Sequence, residues 1–260
     1  MINIIIFSKD RACQLELFIR SMSEYFEEFN SLKINILYTF TNNFFKQGYD
    51  KLISKYSNLN WVKENNFKNN LVSFIDINNK YTIFFVDDIV WKNKFSLNDN
   101  EFKDFEKNNN ILTLSLRLHP NLTYCYSANI PMKQLNTTVW NWRGMQPDFG
   151  YPMSLDGHFF RTNEIIGLVK GLPYKNPNQF EAVLAAYPIN KPLMSCYEKS
   201  IIFNNPANKV QTNNPNKHGN ISAEYLNQEF LNGNIIDLEQ YRGIDNESCH
   251  KEVPIKFIKE

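Results

Sequence analysis

Two adjacent carboxylates, Asp87 and Asp88, interrupt the apolar run YTIFFVDDIV at residues 81–90. Side chains along a strand alternate faces, so a run apolar at every position has to be covered on both sides, as in a central strand of a parallel sheet. The acidic pair then stands at that strand's C-terminal end. Ligands of open α/β sheets bind along that edge, and paired carboxylates there suit a hard divalent cation carrying phosphate oxygens. A solvated turn is the plainer alternative. Adjacent like charges repel, however, and Asn or Gly would serve a plain turn as well, which favours the functional reading.

Such a pair needs a scaffold, and the flanking sequence supplies alternating signals. Residues 2–8 form a short apolar strand, and residues 12–29 carry Leu15, Phe18, Ile19, Met22 and Phe26 at helical spacing. A strand at 34–39, a helix at 44–56, a brief strand at 61–63 and a helix at 67–77 lead to the acidic-tipped strand. A helix at 99–107 and a buried strand at 111–118 follow. This alternation predicts a doubly wound, mostly parallel sheet with right-handed crossovers. Beyond Arg117 the chain turns rich in aromatics, Pro and Asn, as binding segments often are. Residues 152–161 then read as a strand with a Gly kink, and 162–169 and 179–186 as helices. An Asn-rich stretch at 208–220 reads as a mobile segment, and a last helix covers 223–231.

Composition narrows the field. The 28 basic and 27 acidic residues nearly cancel, so neither duplex nucleic acid nor an anionic membrane is an expected partner. Cys13, Cys125, Cys196 and Cys249 form no CxxC pair, which speaks against a zinc knuckle or a dense disulfide framework and for a reducing cytoplasm. The opening MINIIIF lacks a basic leading region, and no apolar stretch approaches the ~20 residues that span a bilayer. A soluble protein is expected, with peripheral membrane contact still open. Four Asn-x-Ser/Thr sequons carry no weight in so Asn-rich a chain.

The order of elements, with VDDI at 86–89, FSKDR at 7–11 and PMSLDGHFFRT at 152–162, resembles the nucleotide-sugar-dependent glycosyltransferases of the GT-A fold, particularly the family-2-like group. The resemblance implies a single Rossmann-like domain, with a nucleotide-sugar half at 1–118 and an irregular acceptor half at 119–260. It implies transfer of a sugar from a nucleoside-diphosphate donor to a hydroxyl of a glycan or other acceptor, inverting and assisted by Mn2+ or Mg2+, in polysaccharide or glycoprotein glycan synthesis. On this pattern Ser8 and Arg11 grip the nucleotide, while Asp10 is either a further contact or the cap of the next helix. Glu64 and Asn66 fall where the family contacts base or ribose, although Asn66 reads equally as a helix cap. Asp87 and Asp88 match the DxD position, with Ile89 where a last Asp would stand, so a further metal ligand is expected from His250, or else His218. Glu181 matches the catalytic base, with complementarity to its helix's first turn as the alternative. Asp156 is the reserve base and, on the same strand face, His158 an acceptor contact. Trp140, Trp142 and Tyr151 offer flat faces for a sugar ring, or belong to the core.

Other readings fare worse. The chain has no GxxxxGK[ST] for an NTPase, no GxGxxG for a dinucleotide oxidoreductase and no DxDx[TV] for a haloacid-dehalogenase-type phosphatase. A nucleotidyltransferase, or a catalytically silent nucleotide- or sugar-binding protein on the same fold, remains the alternative.

Overall fold

The computed structural model describes residues 1–145, 147–209 and 217–260. The expected βα alternation forms: β1 (Ile2–Lys9), α1 (Ala12–Tyr25), β2 (Ile34–Thr39), α2 (Asn43–Lys55), β3 (Asn60–Lys63), α3 (Phe67–Phe74) and β4 (Tyr81–Val86). Next come β5 (Ile89–Trp91), α4 (Asn100–Lys107), β6 (Ile111–Ser115) and three short strands, β7 (Tyr124–Cys125), β8 (Ile130–Pro131) and β9 (Val139–Asn141). The chain continues through β10 (His158–Arg161), α5 (Thr162–Gly171), α6 (Pro177–Ala186), β11 (Leu193–Cys196) and β12 (Ile202–Asn204). It ends with α7 (Ala223–Leu231), β13 (Asn234–Ile236) and β14 (Phe257–Lys259).

One eight-stranded sheet has the order β3-β2-β1-β4-β10-β6-β11-β9. Strands β3, β2, β1 and β4 run parallel, as do β6 and β11, whereas β10 is antiparallel to both neighbours and β9 closes the edge antiparallel. The continuous apolar runs are covered on both faces. Ile4, Ile6 and Phe85 join Phe18 and Met22 of α1 in one core, while Ile5, Phe7 and Phe84 join Leu71, Ile165 and Phe180 of α3, α5 and α6 in the other. Among the described residues no helix is long and apolar enough to cross a membrane.

Several boundaries depart from the sequence pattern. Helix α1 stops at Tyr25 because Phe26 turns into extended backbone and stacks on Trp91, with ring centroids 5.6 Å apart. Helix α3 stops at Phe74, three residues before the exposed Ile77. The run at 81–90 is two strands, with Asp87 and Asp88 at the turn, since β5 leaves the main sheet to pair with β12. The strand expected at 152–161 begins only at His158, because Gly157 turns the chain at φ +72°. Of the Asn-rich stretch, residues 210–216 lie outside the described residues.

Candidate functional site

The C-terminal ends of β1, β2 and β4 open into a cavity of about 670 Å³. Backbone geometry at the end of β1 fixes its floor. Asp10 adopts φ 55°, which Asp tolerates, and its carboxylate accepts from Thr41 N (2.8 Å), so it neither caps α1 nor lines the cavity. It ties the β1 loop to the β2 loop instead. Ser8 Oγ lies 2.7 Å from the Tyr49 hydroxyl, which also accepts from Arg11 N at 3.3 Å.

Arg11 is the hub. Its Nη1 donates to Asp87 Oδ1 (3.0 Å) and Asp88 Oδ2 (3.3 Å), while Nε donates to Asn208 Oδ1 (2.8 Å) and Nη2 to Asn208 O (2.5 Å). Asp87 Oδ2 accepts from Lys9 N (3.1 Å), and Asp88 Oδ1 accepts from Asn204 Nδ2 (2.9 Å). Burial raises the Asp87 carboxyl above the usual carboxylate range, and Arg11 opposes that shift.

Among the described residues no group of three or more His, Cys, Asp or Glu converges as a metal cage. Mg2+-like ions are commonly held by one or two carboxylates plus substrate phosphates, so the relevant test is whether such a partial site exists. The Asp88 side chain is 15% exposed against 5% for Asp87, whose two oxygens are engaged by Arg11 and Lys9 N. Both Asp88 oxygens also accept hydrogen bonds, from Arg11 and Asn204, so the two carboxylates differ in exposure rather than in engagement. The backbone of His250 bridges to Asn204, its ring lines the cavity, and its buried Nδ1 has no partner among the described residues. Burial, helped by Arg117, lowers the imidazole to about 4, so it is neutral at physiological pH. Asp88 and the neutral His250 imidazole line the same cavity and are donor types that suit a cation carried in with phosphates. His218 is exposed, with Nδ1 2.7 Å from Gly219 O.

A second acidic group lines the same cavity. Helix α6 begins at Pro177, capped by Asn176, which accepts from Gln179 N (2.9 Å). Glu181 is thus past the first turn, where the helix dipole has weakened. Its Oε1 accepts from Leu155 N (2.9 Å) and Ser154 Oγ (3.1 Å). Asp156 pairs with buried Arg117 at 2.8 Å. Burial lifts Glu181 to about 7 and Asp156 to about 6; each carboxylate also feels nearby negative charge, and Arg117 holds both down.

The remaining sequence candidates lie elsewhere. Asn66 is the cap of α3, accepting from Asn69 N (3.0 Å), whereas Glu64 does line the cavity. Trp140 is in the core and donates to Phe149 O (2.8 Å); Trp142 donates to Lys191 O (2.9 Å). His158 is fully buried, its Nδ1 3.1 Å from Pro152 O, because the turn at Gly157 breaks the strand alternation that would have put it beside Asp156. Tyr151 is half-buried outside the cavity lining, with its hydroxyl raised by burial and by the Glu181 charge. Tyr126 is an aromatic residue that does line the cavity. Sequence reasoning missed Arg117, Tyr49, Asn204 and Asn208. Arg117, a charge inside the apolar run at 111–118, was the one that carried a readable signal.

The chain has an α/β fold of the GT-A type. Along 93% of its length it is 27% identical, over 292 aligned positions, to the bifunctional glycosyltransferase pgtA of Dictyostelium discoideum, of which it spans 36%. The crystal structure of S. aureus TarS superposes with a TM-score of 0.53 at 13% identity, covering 78% of this chain and 36% of that one. No protein-family model matches the chain.

Proposed function

We propose that this chain is a glycosyltransferase that moves a sugar from a nucleoside-diphosphate donor to a hydroxyl of a glycan or other acceptor, with inversion at the anomeric carbon. The observation that carries the reading is that Asp88 with Arg11 and Glu181 with Asp156 line one cavity of about 670 Å³, a volume suited to a nucleotide-sugar. Ser8 and the loop amides after β1 receive the nucleotide. Asp88 and His250 would hold a divalent cation, Mn2+ or Mg2+, which when bound offsets charge on the departing diphosphate.

Glu181 is the base. Two donors fix its Oε1, leaving Oε2 to take the acceptor hydroxyl's proton while that oxygen attacks the anomeric carbon and the bond to the diphosphate breaks. Asp156 is committed to Arg117, which makes it the weaker candidate. The four buried free cysteines fit a reducing cytoplasm, and polysaccharide or glycoprotein glycan synthesis is the role this chemistry serves.

A panel of nucleotide-sugars incubated with the protein and MnCl2 tests the reading through release of free nucleoside diphosphate. Binding without release would indicate a silent binding protein. Pyrophosphate formed from nucleoside triphosphate and sugar phosphate would indicate a nucleotidyltransferase.

A further inference from the structure

We infer that Arg117 is a positioning residue for the base: through Asp156 it sets the loop whose Ser154 and Leu155 hold Glu181. The inference rests on the reading of Glu181 as the base. Strand β10 pairs with β6 so that Phe159 lies opposite Leu114 and His158 opposite Ser115, and just beyond them Leu116 N donates to Gly157 O at 3.0 Å. Extending the same register sets Asp156 opposite Arg117. Their side chains meet there, with Arg117 Nη1 donating to Asp156 Oδ2 at 2.8 Å.

From Asp156 the connection runs on to the base. Asp156 N donates to Ser154 Oγ (3.2 Å), and the Ser154 hydroxyl donates in turn to Glu181 Oε1 (3.1 Å), which also accepts from Leu155 N (2.9 Å). The end of β6, the loop before β10 and helix α6 thus converge on one carboxylate. Asp156 and Glu181 line the cavity and Arg117 does not, so Arg117 acts from behind them without touching what the cavity holds. Its side chain is 4% exposed, and its Nε has no partner among the described residues. Stability alone does not call for such a group, because a buried ion pair can often be exchanged for apolar side chains without loss. What an apolar side chain could not do is direct Asp156 and offset the negative charge that it shares with Glu181.

The test compares Arg117→Met in the wild-type and Glu181→Gln backgrounds, reading nucleoside diphosphate released from the panel of nucleotide-sugars with MnCl2. In the wild-type background kcat should fall roughly 10- to 100-fold, the range for a misplaced catalytic group. In the Glu181→Gln background the same change should cost less than about twofold, since residues that act as a unit do not add. Arg117→Lys, which keeps the charge but not the reach of the guanidinium, should lose less, and it serves for the same comparison if Arg117→Met does not fold. Calorimetry with UDP and GDP, each with MnCl2, should give the wild-type affinities in the Arg117 variants. Equal losses in the two backgrounds, as a general structural defect would produce, overturn the inference and leave the base reading standing. So do wild-type turnover in Arg117→Met and weakened binding of both nucleotides. Turnover near wild type in Glu181→Gln itself, or no release from any donor by the wild-type chain, overturns the base or transferase reading and this inference with it.

Discussion

Glu181→Gln separates catalysis from architecture. The glutamine carbonyl can keep both bonds now made to Oε1, from Leu155 N at 2.9 Å and Ser154 Oγ at 3.1 Å, and its helix propensity is nearly that of Glu. Folding and nucleotide binding should therefore survive. Transfer should fall by roughly 100-fold or more, the range lost with a general base. The pH dependence adds a second readout. Burial raises the carboxyl from 4.5 to about 7, so between those values the folded chain keeps a proton that the unfolded chain has released. Its stabilising contribution is complete below the unfolded value and is lost as pH rises through 7. The largest difference this permits is about 3 kcal/mol, and access of water through the cavity reduces it to roughly 1 to 3 kcal/mol. Relative to wild type, Glu181→Gln should thus melt several degrees higher at pH 8 than at pH 5. Wild-type kcat/KM should rise through about pH 7, a limb the variant lacks. Scanning calorimetry and nucleotide-release kinetics measure the two. Turnover near wild type refutes the assignment of the base, and a stability difference that ignores pH refutes the electrostatic reasoning.

Asp88→Asn, read in the release assay at saturating MnCl2, should stay folded and lose about 2 to 4 kcal/mol of transition-state stabilisation, seen as a 30- to 1000-fold drop in turnover. A nucleoside diphosphate at about 100 times its Kd with MnCl2 should stabilise the chain by roughly 2.7 kcal/mol. A chelator should remove much of that gain in a melting experiment; indifference to chelator would assign the phosphates to Arg11 and the loop amides alone. Gly157→Ala would place a Cβ 2.2 Å from Ile202 Cδ1 on backbone at φ +72°, and should cost about 2 kcal/mol or more in denaturant unfolding.

What the sequence made legible were features set by local chemistry. Apolar runs in β1, β4 and β6 announced two-sided burial, and the acidic pair announced the sheet edge where the cavity opens, because both depend on contiguous residues. The failures share one cause, the packing of distant segments. His158 looked cleft-facing until Gly157 broke the alternation, and Trp140 looked available until Phe149 O claimed its indole N–H. Asn208, which holds Arg11 from 197 positions away, carries no mark in an Asn-rich chain. Glu181 read as a first-turn residue because Pro177 was not taken as the start of α6.

The placement of β10 has a consequence for how the chain reaches this state. Phe159, Phe160 and Arg161 pair with Ile83, Thr82 and Tyr81 of β4, and His158 and Phe159 pair with Ser115 and Leu114 of β6, so the centre of the sheet is sealed by the strand that follows the long aromatic connection. Until Arg161 has left the ribosome, β4 and β6 each present an unpaired apolar edge. Pairings this distant in sequence form slowly, and open edges invite intermolecular pairing. A nascent chain stalled near residue 118 should be aggregation-prone, and release from chaperones should follow synthesis of β10 rather than completion of the nucleotide-facing strands.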